Sequence, residues 1–187
     1  MPDIFLLEPA TAMPANNSYL RSYPAMVRFF AGIQVFTADD LICGAHMVYG
    51  WMPTALDLYP DPPNIDLQAG ADLLTQAKAR SLNDAEIGSL ADLVNHSVVG
   101  ASKLLHFVNP ESFAIWDSRI YRFLFAQPAY QHRVNTVPSY RDYLNRLGQL
   151  RLDGRLAALH ASMDGQLGYE VSDLRAMELV MFLNSPP

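Results

Sequence analysis

Cysteine is almost missing from this chain. Cys43 stands alone among 187 residues, which excludes an intramolecular disulfide and a cysteine-based metal cluster, and a reducing cytoplasm is the expected setting. Long apolar runs are missing as well, so no stretch reaches the length needed to cross a bilayer and no membrane partner is expected. The opening Met-Pro-Asp-Ile-Phe-Leu-Leu-Glu has neither the basic start nor the long apolar centre of a signal peptide. Alternating strand patterns are weak, and no repeat of 20 to 50 residues is visible. A Gly-rich phosphate loop, a nucleophile elbow and a His-Glu-x-x-His pair are all absent. The histidines, His46, His96, His106, His132 and His160, are scattered without ligand spacing. No metal and no cofactor is therefore expected.

What remains is a chain built to fold. Hydrophobic residues make up 50% and charged residues 17%, a balance that supports a packed core over disorder. The length suits one domain, residues 1–187, and is too short for two ordinary ones. Net charge is −6, which argues against an unspecialised nucleic-acid coat, since phosphate binding draws on lysine and arginine. The charge is uneven: residues 1–97 carry −7, whereas residues 98–155 carry +4. Arginine in that segment suits bidentate contact with phosphate. It suits ion pairs on helix surfaces equally well, as Arg141 beside Asp142 illustrates.

Read in order, the pattern predicts an all-α multi-helix bundle. Pro2 to Asn17 is an irregular lead-in with one helical turn at Ile4 to Leu7. Residues 18–31 carry a helix that Pro24 either starts or kinks and that Gly32 ends. Thr37 and Asp40 form a capping box for a buried helix that Pro53 ends. Tyr59-Pro60-Asp61-Pro62-Pro63-Asn64 is the clearest loop and the place where two small lobes would divide. Ile65 to Ala77 gives the next helix, and Asn83 with Glu86 caps another that runs to about Asn95. A helix through Val98, Leu104 and Phe107 ends near Val108, because Asn109 precedes a proline. Asp117 caps its successor, which Pro128 interrupts; Pro138-Ser139, Gly154 and Ser172 open the last three.

The informative stretch is 96–125, where each of two helices carries one ionisable residue in apolar surroundings: Lys103 and Asp117. A lysine partly withdrawn from water loses basicity, and its free amine can then attack an electrophilic carbon. An aspartate held at a helix N-terminus stays ionised and can stabilise a developing positive charge. The plainer readings are a lysine whose stem lies along the core edge and an aspartate that only caps. His46, Tyr49 and Trp51 invite the same pair of readings, a platform for a planar ligand or ordinary core. His106 lies one turn after Lys103 and is placed to tune it.

The order Val98-Val99-Gly100-Ala101-Ser102-Lys103, then Phe113-Ala114-Ile115-Trp116, then Asp117 opening a helix, resembles the helix-hairpin-helix DNA glycosylase superfamily, particularly its 8-oxoguanine glycosylase-like members. The resemblance implies a helix-hairpin-helix element, DNA as partner and removal of a damaged, flipped base. By position it makes Lys103 the nucleophile and Asp117 its acidic partner. Gly100 becomes the hairpin glycine whose amide meets a DNA phosphate, with Ser102, Arg119 and Arg122 as further DNA contacts, and His46, Trp51, His106 and Trp116 line the base pocket. Where the family has Leu-Pro-Gly-Val-Gly, this chain has no proline and one glycine fewer, and a strict count from Gly100 puts Ser102 at the lysine position. Tyr49-Gly50-Trp51-Met52-Pro53, Ser102-Lys103-x-Leu105-His106-Phe107 and Trp116-Asp117-Ser118-Arg119 also resemble motifs of a group of small bacterial proteins, a likeness that carries no activity with it. The competing expectation is a noncatalytic helical module that binds nucleic acid or protein. Oligomeric state is not legible.

Overall fold

The computed structural model describes residues 1–14, 17–61 and 64–186. Among them it contains eleven α-helices and no sheet. The short α1 (Ile4–Leu7) precedes a 3-10 turn at Glu8–Ala10. The helices α2 (Ser18–Gly32), α3 (Ala38–Trp51), α4 (Leu67–Ala79), α5 (Asp84–Leu93) and α6 (Val98–Val108) follow, then α7 (Ser118–Phe125), α8 (Gln131–Val134), α9 (Val137–Leu150), α10 (Leu156–Leu167) and α11 (Asp173–Leu183). No helix among the described residues is long and apolar enough to cross a membrane.

Local chemistry sets most of these starts. The Thr37–Asp40 and Asn83–Glu86 capping boxes are both closed, and Asn17, Asp66, Ser97, Asp117, Thr136 and Ser172 each accept from amides in the first turn of the helix that follows. Several ends differ from expectation. α7 stops at Phe125 because Ala126 takes a left-handed conformation (φ 51°), before Pro128 can act. α10 opens at Leu156, after Gly154, and runs through Gly165 to a left-handed Gly168 (φ 76°). The single-turn α8 is too short to leave a periodic signal.

The middle of the fold is α6. Every residue on it except Val99 and Lys103 is buried, and it packs on α2, α3, α4 and α5. On the other side of the site α7 packs against α11, and α11 also meets α10 and α1. Pro62 and Pro63 of the proline-rich loop lie outside the described residues. Beside them, Tyr59 N–H donates to Leu93 O at 2.9 Å and Leu58 bridges Val94, so the loop's start is tied to the end of α5. Helices before and after this loop, α3 and α4, pack directly on each other.

Candidate functional site

Lys103 and Asp117 line one cavity of about 270 Å³. It lies between α6, the 115–117 link, α11, the end of α3 and the segment leading into α2. Trp51, Met52, Ile115, Leu179 and Phe182 form apolar walls, while Lys103, Asp117, Arg175 and Glu178 supply the charged groups.

Lys103 is half-buried, the one charged side chain on an otherwise apolar helix. Burial lowers its pKa from the ordinary lysine value, and the nearby charges of Asp117 and Glu178 offset part of that drop. Asp117 is a true N-cap: its Oδ1 accepts from Arg119 N at 2.9 Å and Ile120 N at 3.0 Å. The cap and the cavity-facing carboxylate are the same group, so the two readings of Asp117 coincide.

Their register is set by the residues beside them. Ser102 Oγ donates to Val99 O at 2.8 Å and accepts from Trp116 N at 3.2 Å. This bond joins the neighbour of Lys103 to the neighbour of Asp117 across fourteen positions. Ser102 is fully buried, so it fixes geometry from inside and does not contact DNA. Trp116 is likewise core: it is fully buried, and its indole N–H donates to Val134 O at 2.8 Å. It lines no base pocket.

His106 sits one layer behind the cavity. Its Nδ1 lies 2.7 Å from Phe113 O, a group that only accepts, so Nδ1 carries the proton and Nε2 accepts from the Tyr23 hydroxyl at 2.8 Å. Burial, with Arg175 nearby, pushes the His106 pKa down to about 3, which keeps the ring neutral. The Arg175 guanidinium stacks 4.9 Å from the centre of the Tyr23 ring. His106 and Tyr23 therefore support Arg175 from behind and do not face a ligand. His46 is exposed on α3, away from the cavity walls; of the four base-pocket residues, only Trp51 lines the cavity.

Gly100 also has another role. A Cβ at this position would stand 1.9 Å from the Tyr49 hydroxyl, which itself donates to Val94 O at 3.0 Å. The glycine is there to admit the tyrosine. Its amide donates to Ser97 Oγ at 3.0 Å, and the Val98 amide donates to Asn135 Oδ1 at 2.6 Å. Both amides at the start of α6 are thus occupied by side chains. The turn between α5 and α6 uses left-handed Asn95 and His96 in place of glycines.

The arginine-rich segment divides in two. Arg141 pairs with Asp84 at 2.7 Å, not with its neighbour Asp142, which pairs with Arg146 at 2.9 Å. Arg151 and Arg155 are paired with carboxylates as well. Arg119 and Arg122 have no carboxylate partner among the described residues. Arg119 lies 4.6 Å from the centre of the Phe182 ring, which lines the cavity, and Arg122 Nε donates to Pro186 O at 3.2 Å.

No family model matches the chain, and comparisons with curated proteins and with solved structures find no match. The site therefore has to be read from its own geometry.

That geometry adds two residues that sequence patterning passed over. Arg175 and Glu178, 5% and 1% exposed, form a buried ion pair on α11. Burial raises the Glu178 pKa to about 7; Asp117 adds to the rise, while Arg175 and Lys103 oppose it. The available signal was two charges three positions apart in the apolar face of the last helix, the same anomaly that marks Lys103. Among the described residues no cluster of three or more His, Cys, Asp or Glu is arranged to hold a metal ion.

Proposed function

We propose that this chain is a DNA glycosylase-like protein that receives a flipped base or its sugar in the Lys103–Asp117 cavity. The observation that carries the reading is the convergence of a partly desolvated amine and a capped carboxylate on one small cavity walled by Trp51 and Phe182. Lys103 Nζ attacks the sugar C1′ as the bond to the base breaks, and Asp117 stabilises the positive charge that builds on the sugar. The volume, about 270 Å³, lies just under the range for drug-sized ligands and suits a single heterocycle. Arg119 and Arg122, on the helix that Asp117 opens and without carboxylate partners among the described residues, supply the phosphate contacts.

The test is borohydride trapping on duplexes that carry common base lesions, followed by peptide mapping. An adduct on Lys103, lost in Lys103→Met and slowed in Asp117→Asn, is the expected result. Absence of any adduct, with base release equal in Asp117→Asn and wild type, would sink the reading.

The second reading is binding without turnover. It is favoured by the occupied Val98 and Gly100 amides, which leave the hairpin fewer donors for a phosphate. A tight complex independent of lesion, with no base released, would select it.

A further inference from the structure

We propose that Glu178, held in place by Arg175, exchanges a proton with Lys103 and acts in turn as base and acid, a catalytic role beyond the nucleophile and its electrostatic partner. The inference rests on the reading that an amine attacks within this cavity. Glu178 is buried yet lines the same cavity as Lys103 and Asp117. A buried ion pair is a poor way to stabilise a fold, because desolvating both charges offsets most of their attraction. Its place in the lining of the cavity that Lys103 and Asp117 share gives it a use.

The charges facing Glu178 come from several elements: Arg175 on its own helix, Asp117 at the start of α7, Lys103 on α6, and the hydroxyls of Tyr143 on α9 and Tyr23 on α2. His160 on α10 instead meets Asp173, at the start of α11. One proton can be shared between Lys103 and Glu178 in two ways. An ammonium with a carboxylate, or a free amine with a carboxylic acid, gives the same net charge. Burial penalises the first arrangement, so it moves the amine and the acid toward equal basicity. Proton transfer then changes no net charge in a site poorly able to tolerate one.

The steps balance. Glu178 takes a proton from the Lys103 ammonium, through a water or a substrate heteroatom because the two side chains are not in direct contact. The freed lone pair on Nζ forms the bond to C1′ while the C1′–N bond breaks and its electron pair leaves with the base. Glu178 returns the proton to the departing base. It ends ionised, as it began, and the new cation sits on the substituted Lys103 nitrogen.

Two readouts test this, the first of them independent of the glycosylase reading. The first is labelling of Lys103 by a small aldehyde with cyanoborohydride, followed across pH by mass spectrometry. In Glu178→Gln, which still accepts from Arg175, removal of an anion moves the labelling midpoint to lower pH; an unchanged midpoint overturns the proposal even if no DNA substrate is ever found. The second is base release. Wild type gives a bell-shaped pH profile, whereas Glu178→Gln loses the falling alkaline limb and is slower at neutral pH by roughly 10²-fold. Retention of both limbs overturns the proposal. Should Glu178→Gln fail to fold, carboxyl ¹³C titration of Lys103→Met decides: Glu178 titrates at higher pH than in wild type, and an unmoved titration contradicts the coupling.

Discussion

Glu86 and Glu178 are each bonded to an arginine, and their chemistry runs in opposite directions. Glu86, at the start of α5, takes a bidentate contact from Arg80 at 2.7 and 3.0 Å and closes a capping box through Asn83 N–H. Those hydrogen bonds lower its pKa, because at a partly exposed site the desolvation that opposes them is smaller than their effect. Glu178 has the same kind of partner in Arg175 but lies 1% exposed, and there desolvation outweighs pairing and raises the pKa. An arginine partner alone does not fix the state of a carboxylate; the solvent around the pair decides. Glu86 caps the start of a helix, and Glu178 is left able to hold a proton near neutrality at the wall of a cavity.

The largest expected break in this comparison is Glu178→Ala, which strands the Arg175 guanidinium in the interior. A loss of about 3–5 kcal/mol in denaturant unfolding is expected. Replacing both partners, Arg175→Met with Glu178→Leu, removes the stranded charge and should bring stability back to within about 1 kcal/mol of wild type, or above it. If the double variant is as unstable as the single one, the pair contributes to the fold and the contrast with Glu86 weakens.

A smaller effect concerns pH. The folded-state pKa of Glu178 is raised from an ordinary 4.5 to about 7, so between those values the folded state binds the extra proton. Its contribution to stability is therefore present at low pH and lost as pH rises from about 4.5 to 7. Glu86, with a lowered pKa, contributes above the ordinary carboxylate range and loses that contribution as pH falls through its folded value. Unfolding midpoints across this range should decline more steeply toward pH 7 in wild type than in Glu178→Gln; parallel curves would contradict the raised pKa. The smallest effect is Arg80→Ala, which should leave the denaturant midpoint near its wild-type position because Arg80 is exposed and its pair lies at the surface.

Much of the fold was legible because it is written locally. Capping residues and apolar spacing placed most helices, and Lys103 with Asp117 stood out as charges in apolar neighbourhoods. What failed depended on contacts distant in sequence. Trp116 and His106 have the residue types of a base pocket, yet burial and the carbonyls of Val134 and Phe113 assign them to the core. Gly100 matches a phosphate-binding glycine by type, and only the Tyr49 hydroxyl reveals why it must be glycine. Arg175 and Glu178 were hidden by the apolar face they interrupt, since nothing local says that α11 folds back against α7 and α6's lysine.

The most direct test of the contrast is carboxyl ¹³C titration of Glu86 and Glu178 in the same sample of the wild-type chain. Glu178 should titrate near neutrality while Glu86 titrates below the ordinary carboxylate value. If both carboxylates titrate together in the acidic range, burial does not govern the cavity wall and the account of the site is wrong.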